Sequence, residues 1–196
     1  MKKMTAKINS AHQENTTTKK HISLLTENIQ EFINSKNDFQ AFIILSIGIE
    51  FLGAFVDEKD FNEFGQSQNR FENSLKHWFN NKWYEQNRTW IYQNLRGPLV
   101  HQYRPGKEIL LTSKCKNNID LEKHLTKSNG KTIFVLEQLF ADFKKACEKI
   151  DREMNNDKSP YKNTKMSEKY MTIYEFENWN KEKIVLSGQT ETIIGE

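Results

Sequence analysis

Apolar residues recur along this chain at helical spacing in several separate stretches. Ile22, Leu25, Ile29, Phe32 and Ile33 fall three and four apart, which places them on one face of an amphipathic helix. Asp38 is read as the N-cap of the next helix, where Phe39, Phe42, Ile43, Ile47, Phe51, Leu52 and Phe55 form a broad apolar surface suited to the centre of a core. A third pattern runs Phe71, Leu75, Trp78 and Phe79, and a fourth runs Trp90, Ile91, Leu95 and Leu99. The fourth contains Gly97-Pro98, so the helix is expected to kink or restart there. Ile109 to Thr112 and Lys131 to Phe134 read as a small antiparallel pair. A long helix then carries Val135, Leu136, Leu139, Phe140, Phe143, Ala146, Cys147 and Ile150.

The ends read differently from the middle. Residues 1–17 are polar and without periodicity, as in a mobile arm, and residues 18–154 form the helical domain. Residues 155–196 form a linker and C-terminal extension. Pro160 lies in a polar stretch, Tyr170 to Trp179 reads as a short helix, and Lys183 to Ile194 alternates around Ser187-Gly188 like a hairpin. The fold class expected is therefore mainly α, a helical bundle with a small peripheral β-hairpin and a hairpin-like tail.

Composition narrows the function. A chain of 196 residues with 13 Phe and 4 Trp can bury one core of large side chains despite a mean hydropathy of -0.80. The net charge of +3 is too small for coating nucleic acid by charge alone, so any RNA contact has to be local. Arg104, Lys107, Lys114 and Lys116 make one such local cluster. Cys115 and Cys147 have no close-spaced partner, which fits free thiols in a reducing cytoplasm. Ser46, Gly48, Glu50 and Gly53 interrupt the longest apolar stretch, which falls short of the roughly twenty apolar residues of a membrane span. No membrane association and no export signal are expected.

The chemistry-bearing residues gather at Leu95 to Tyr103, which has the form R-x-x-x-x-H-x-Y, with Arg96, His101 and Tyr103 in the named places. With its preceding amphipathic helix and its Leu-Val-His form, this segment resembles the HEPN superfamily, helical-bundle proteins of bacterial toxin, defence and RNA-processing systems. The likeness extends over about Asp38 to Arg152. It implies a HEPN-like bundle in which Arg96 and His101 line an RNA-cleaving site completed by a homodimer. In toxin pairs it also implies an antitoxin or nucleotidyltransferase partner, with Tyr103 as the modified residue. One position departs from the pattern: the residue after the family's arginine is commonly polar, and here it is Gly97 followed by Pro98.

The residues support the same chemistry on their own. Metal-independent RNA cleavage needs a base for the ribose 2′-hydroxyl and cationic donors for charge on the phosphorane. An imidazole can take or give a proton near neutral pH, so His101 is the candidate base or acid, while Arg96 clamps phosphate oxygens with its fork of donors. The expected product carries a 2′,3′-cyclic phosphate. Glu50 interrupts the most apolar helix and is a candidate anchor for Arg96 or His101, and Arg104 and Lys107 are candidate phosphate contacts. Five residues on an unbroken helix turn about 500°, which leaves Arg96 and His101 about 140° apart. Either the Gly97-Pro98 break rotates one toward the other, or a second subunit supplies its own pair.

Structural readings stand beside these. Arg96 is equally suited to bonding carbonyls freed at the break, His101 and Tyr103 to packing, and Glu50 to facing solvent. His12, His21, His77 and His124 show no metal-ligand spacing, so neither a metal nor a cofactor is expected. Trp78, Trp83, Tyr84 and Trp90 are candidates for stacking bases, and their helical spacing suits a core or dimer seam. The leading reading is a metal-independent endoribonuclease. Its rival is a catalytically silent bundle that binds RNA, a nucleotide or a protein, which Gly97-Pro98 favours.

Overall fold

The computed structural model describes residues 19–59, 63–117, 119–156 and 158–161. Within them the chain is mainly helical, with a small three-stranded sheet. Helix α1 covers 19–34, α2 Asp38–Gly53, α3 Ser67–His77 and α4 Lys82–Ile91. A π-helical turn, Tyr92–Arg96, joins α4 to α5, Gly97–Gln102. After α5 come β1, Ile109–Thr112, a short α6, Lys114–Asn117, and a 3-10 turn, Leu121–Lys123. The hairpin strands β2, Lys127–Ser128, and β3, Lys131–Val135, lead into α7, Leu136–Met154.

Many residues that the helical periodicities single out are buried; on α2 Leu45 and Ile49 are buried as well, whereas Ile47 is exposed and Phe39, Ile43 and Phe51 are half-buried. Ile29 and Ile33 of α1, Phe42, Leu45, Ile49 and Leu52 of α2, Phe71 and Leu75 of α3, and Phe140, Phe143 and Ile150 of α7 share one core. Each large apolar side chain so buried contributes about 1.5–3 kcal/mol. Because α2 is apolar nearly all round, it sits between α3 and α7 and touches both. Its first residue differs from expectation. Asn37 holds the N-cap position and Asp38 is already helical, so the Asp38 carboxylate turns instead to the Ser113 hydroxyl and, at 3.6 Å, to the Lys116 ammonium.

The sheet also corrects the expectation. Residues Ile109–Thr112 and Lys131–Val135 do pair, with Ile109 opposite Thr132, but the pairing is parallel. The antiparallel partner of β3 is β2, giving the order β1-β3-β2. Asn129 at φ 49 and Gly130 at φ 75 close the β2–β3 hairpin, the left-handed pair that an Asn-Gly turn of type I′ requires. Once that turn has filled one edge of β3, β1 takes the other. The start of the expected linker is also tied down, since Tyr161 packs edge-on against Trp78 at 4.8 Å and its hydroxyl lies 3.1 Å from His77 Nδ1. The arm over residues 1–17, the helix over Tyr170 to Trp179 and the hairpin over Lys183 to Ile194 lie outside the described residues. Among the described residues no helix is long and apolar enough to cross a membrane.

Candidate functional site

Proline sets the local geometry of the motif. Pro98 has no N–H to offer the carbonyl four residues back, so Asn94 loses its helical donor. Gly106 replaces it, donating its N–H to Asn94 O at 2.7 Å. That approach leaves no room for a side chain, because a Cβ on residue 106 would sit 2.6 Å from Asn94 Oδ1 and 2.9 Å from its backbone oxygen. Upstream, the helix widens into the π turn and Gly97 bonds back to Tyr92 O. Helical backbone therefore continues through Gly97-Pro98, and the register shifts instead of the chain breaking.

This segment brings Arg96, His101 and Glu50 together. Arg96 is buried, with Nη1 3.1 Å from His101 Nε2 and Nε 2.6 Å from Glu50 Oε2 on α2. Its guanidinium carbon lies 5.8 Å from the centre of the Tyr92 ring. The contact with Glu50 is an ion pair out of hydrogen-bonding alignment, and neither Nε nor Oε2 has a directed partner. A guanidinium only donates, so the contact with His101 requires Nε2 to accept, with the imidazole neutral and its proton on Nδ1. His101 itself is exposed, and Nδ1 has no partner among the described residues. One chain thus holds the pair in contact.

The flanking candidates spread over the adjoining turn. Tyr103 ends α5 in the left-handed region at φ 54, which lets Pro98 O accept from Tyr103 N–H and, at 3.4 Å, from Arg104 N–H. Holding a tyrosine there costs roughly 1–2 kcal/mol. Its ring is 64% exposed, meets Phe39 edge-on at 4.9 Å, and its hydroxyl has no partner among the described residues. Arg104 Nε donates to Gln102 Oε1 at 3.1 Å, and Lys107 is exposed on the loop that Gly106 pins. Among the described residues no group of three His, Cys, Asp or Glu side chains is arranged to hold a metal ion.

A second polar cluster was not legible in the sequence. His124 Nδ1 accepts the Val135 N–H at 2.9 Å, its Nε2 lies 2.6 Å from Tyr84 Oη, and Tyr84 donates to Asp142 Oδ2 at 3.1 Å. With Nδ1 accepting, the neutral ring carries its proton on Nε2 and donates to Tyr84. Burial pushes His124 down to about 4. Burial, followed by the Asp142 carboxylate, raises Tyr84 well above its usual value. The three side chains come from α4, a loop and α7 at wide sequence separation, so no spacing signals them. Trp78 and Tyr84 belong to the core, whereas Trp83 and Trp90 remain half-buried.

One cavity lies away from the motif. A hollow of about 590 Å³ between α1 and α7 is lined by Ile22, Thr26, Cys147, Glu148 and Arg152 among others, and no member of the Arg96 group. Cys147 is a free, buried thiol that burial pushes up to about 12, which leaves it unreactive near neutrality. Geometry alone therefore selects the Arg96, His101 and Glu50 group as the candidate site. No protein-family model, curated protein or solved structure matches the chain.

Proposed function

We propose that this protein is a HEPN-like, metal-independent endoribonuclease, the toxic or defensive arm of a bacterial system, acting in the cytoplasm on RNA. The observation that carries the reading is the 3.1 Å contact between Arg96 Nη1 and His101 Nε2 at an exposed helix end, with Glu50 behind the guanidinium. In the resting chain the arginine occupies the imidazole lone pair. A phosphodiester draws Arg96 onto its oxygens and frees Nε2 as a base, because a charged acceptor outcompetes a neutral one. His101 Nε2 then takes the 2′-hydroxyl proton as the 2′-oxygen bonds to phosphorus. The P–O5′ bond breaks, the 5′-oxygen is protonated, and a 2′,3′-cyclic phosphate remains.

Dimerisation belongs to the proposal. Phe39, Ile43 and Ile47 form an outward stripe along α2 that Glu50 continues at helical spacing, and Ile47 is 40% exposed. Two copies meeting on this stripe set their Arg–His pairs on a shared surface, and the second copy's imidazolium protonates the leaving oxygen. Tyr103, with its exposed hydroxyl beside the stripe, is the residue a nucleotidyltransferase partner would modify, and Arg104 and Lys107 are the nearest phosphate contacts in sequence. The test is cleavage of RNA in the presence of chelator. Wild-type protein cuts and His101→Ala does not, with the melting temperature unchanged; cutting at the wild-type rate by that variant rejects the reading. The rival, a silent RNA-binding bundle, is favoured by the same resting contact, since Arg96 and His101 already satisfy one another. RNA retained intact by wild-type protein in that assay selects it.

A further inference from the structure

Charge is distributed unevenly over the molecule. Residues 104–131 carry seven Lys or Arg against three Asp or Glu, more positive charge than the whole chain's net +3. Several cations of the helical body are paired: Lys19 with Asp151, Arg70 with Asp57, Arg88 with Glu72 and Arg96 with Glu50. In the sheet region Lys107, Lys114, Lys123, Lys127 and Lys131 are all exposed, and their ammonium groups have no ion-pair partner among the described residues. Glu108 lies beside the start of β3, where Thr132 N–H donates to Glu108 O at 2.8 Å. Its carboxylate is already taken by Trp90 Nε1 at 2.6 Å. Asp120 and Glu122 are the only other acids in the segment.

Aromatic surface lies against the same strands. Trp83 and Trp90 are half-buried on α4, edge-to-face at 6.2 Å, and Trp83 also meets Phe134 of β3. Trp90 is held to β1's approach by Glu108. Through Gly106 and Asn94 the segment is fixed to the helix that carries Arg96. Unpaired lysines beside half-exposed aromatic rings are what a sequence-tolerant single-stranded nucleic-acid surface needs: cations track the backbone and rings stack bases.

We propose that the three-stranded sheet and its Trp83–Trp90 ledge form the binding platform for single-stranded RNA, extending from the loop after His101 across the β2–β3 hairpin. The choice of RNA rests on the functional reading above. The platform explains why a weakly charged protein places its surplus charge next to one helix end. Binding energy is then supplied at a distance from the reacting atoms, and the helical body stays electrostatically neutral.

The test measures binding of a mixed-sequence single-stranded RNA to full-length protein in a His101→Ala background, across a series of salt concentrations. Neutralising Lys123, Lys127 and Lys131 together to Gln weakens binding at low salt by about tenfold or more. It also lowers the slope of log K against log salt by about two, at roughly 0.7 per phosphate contact. Neutralising Lys36, Lys76 and Lys158, exposed lysines outside the segment, leaves both quantities unchanged. Equal loss in the two triple variants, or no loss in the first, overturns the platform; so does displacement of the RNA by polyglutamate at equal charge concentration. The outcome is separable from the nuclease reading. Sheet-dependent binding by a wild-type protein that never cuts RNA keeps the platform and removes the nuclease, and cleavage with sheet-independent binding does the reverse.

Discussion

His124 and His101 both sit beside polar partners, and their surroundings differ in a way that separates a structural role from the proposed chemical one. His124 is enclosed: Val135 occupies one ring nitrogen, Tyr84 the other, and the chain of bonds ends on Asp142. His101 is exposed, has one nitrogen engaged by Arg96 and keeps the other unpartnered among the described residues. A ring with both nitrogens satisfied internally fixes a fold and has nothing left for a substrate. A ring held on one side by a movable cation is oriented and still available, which is the condition acid–base catalysis requires.

That contrast is sharpest in paired substitutions. His101→Ala is expected to lower RNA cleavage by about 10²–10⁴-fold while shifting stability by less than about 0.5 kcal/mol, read by cleavage assay and thermal melting. His124→Ala does the opposite. It leaves Tyr84 and the Val135 N–H without partners and costs about 2–4 kcal/mol in denaturant unfolding. A His101 variant that unfolds, or a His124 variant that melts like wild type, breaks the comparison.

Acid provides a second probe. His124 is neutral in the folded chain down to about 4, whereas the unfolded ring takes up its proton near 6.5. Between those values the unfolded state binds more protons, so stability falls as pH drops from about 6.5 to about 4 and levels off below. The expected contribution is on the order of 3 kcal/mol, and it vanishes from the pH profile of His124→Gln. A profile identical in wild type and variant contradicts the enclosed role.

Backbone fit at the motif gives a smaller effect. Gly106→Ala forces a methyl against Asn94 and is expected to cost about 1–3 kcal/mol of stability, with a larger loss of cleavage than of fold because the helix carrying Arg96 shifts. Glu50→Gln removes the charge behind Arg96 while keeping its shape. Cleavage falls by about tenfold and KM rises, since the freed guanidinium is no longer held in place. Unchanged kinetics in this variant assign Glu50 to packing alone.

The parts of the molecule visible in the sequence are those with local signals. Phe71, Leu75, Phe140 and Phe143 announce buried helix faces by their spacing, and Glu50 announces itself by interrupting one. Pro98 marks the place where helix geometry must change, but not how: the widening at Tyr92–Arg96 depends on Gly106 arriving from downstream to take the Asn94 carbonyl. Strand direction is not legible in the apolar pattern, because β2 is two polar residues, Lys127 and Ser128. The Asn129-Gly130 turn was the available signal, and it fixes which strand lies antiparallel to β3. Asp38 resembles a cap in sequence because its actual partners, Ser113 and Lys116, are distant along the chain. The His124, Tyr84 and Asp142 cluster was invisible for the same reason.

In the proposed reaction Arg96 and His101 act together on a phosphodiester through the neighbouring 2′-hydroxyl. Analysis of the ends left on RNA by wild-type protein in chelator tests it most directly. The account predicts 2′,3′-cyclic phosphate on one fragment and a 5′-hydroxyl on the other, both lost in Arg96→Ala and in His101→Ala. Fragments ending in 3′-hydroxyl and 5′-phosphate would contradict it.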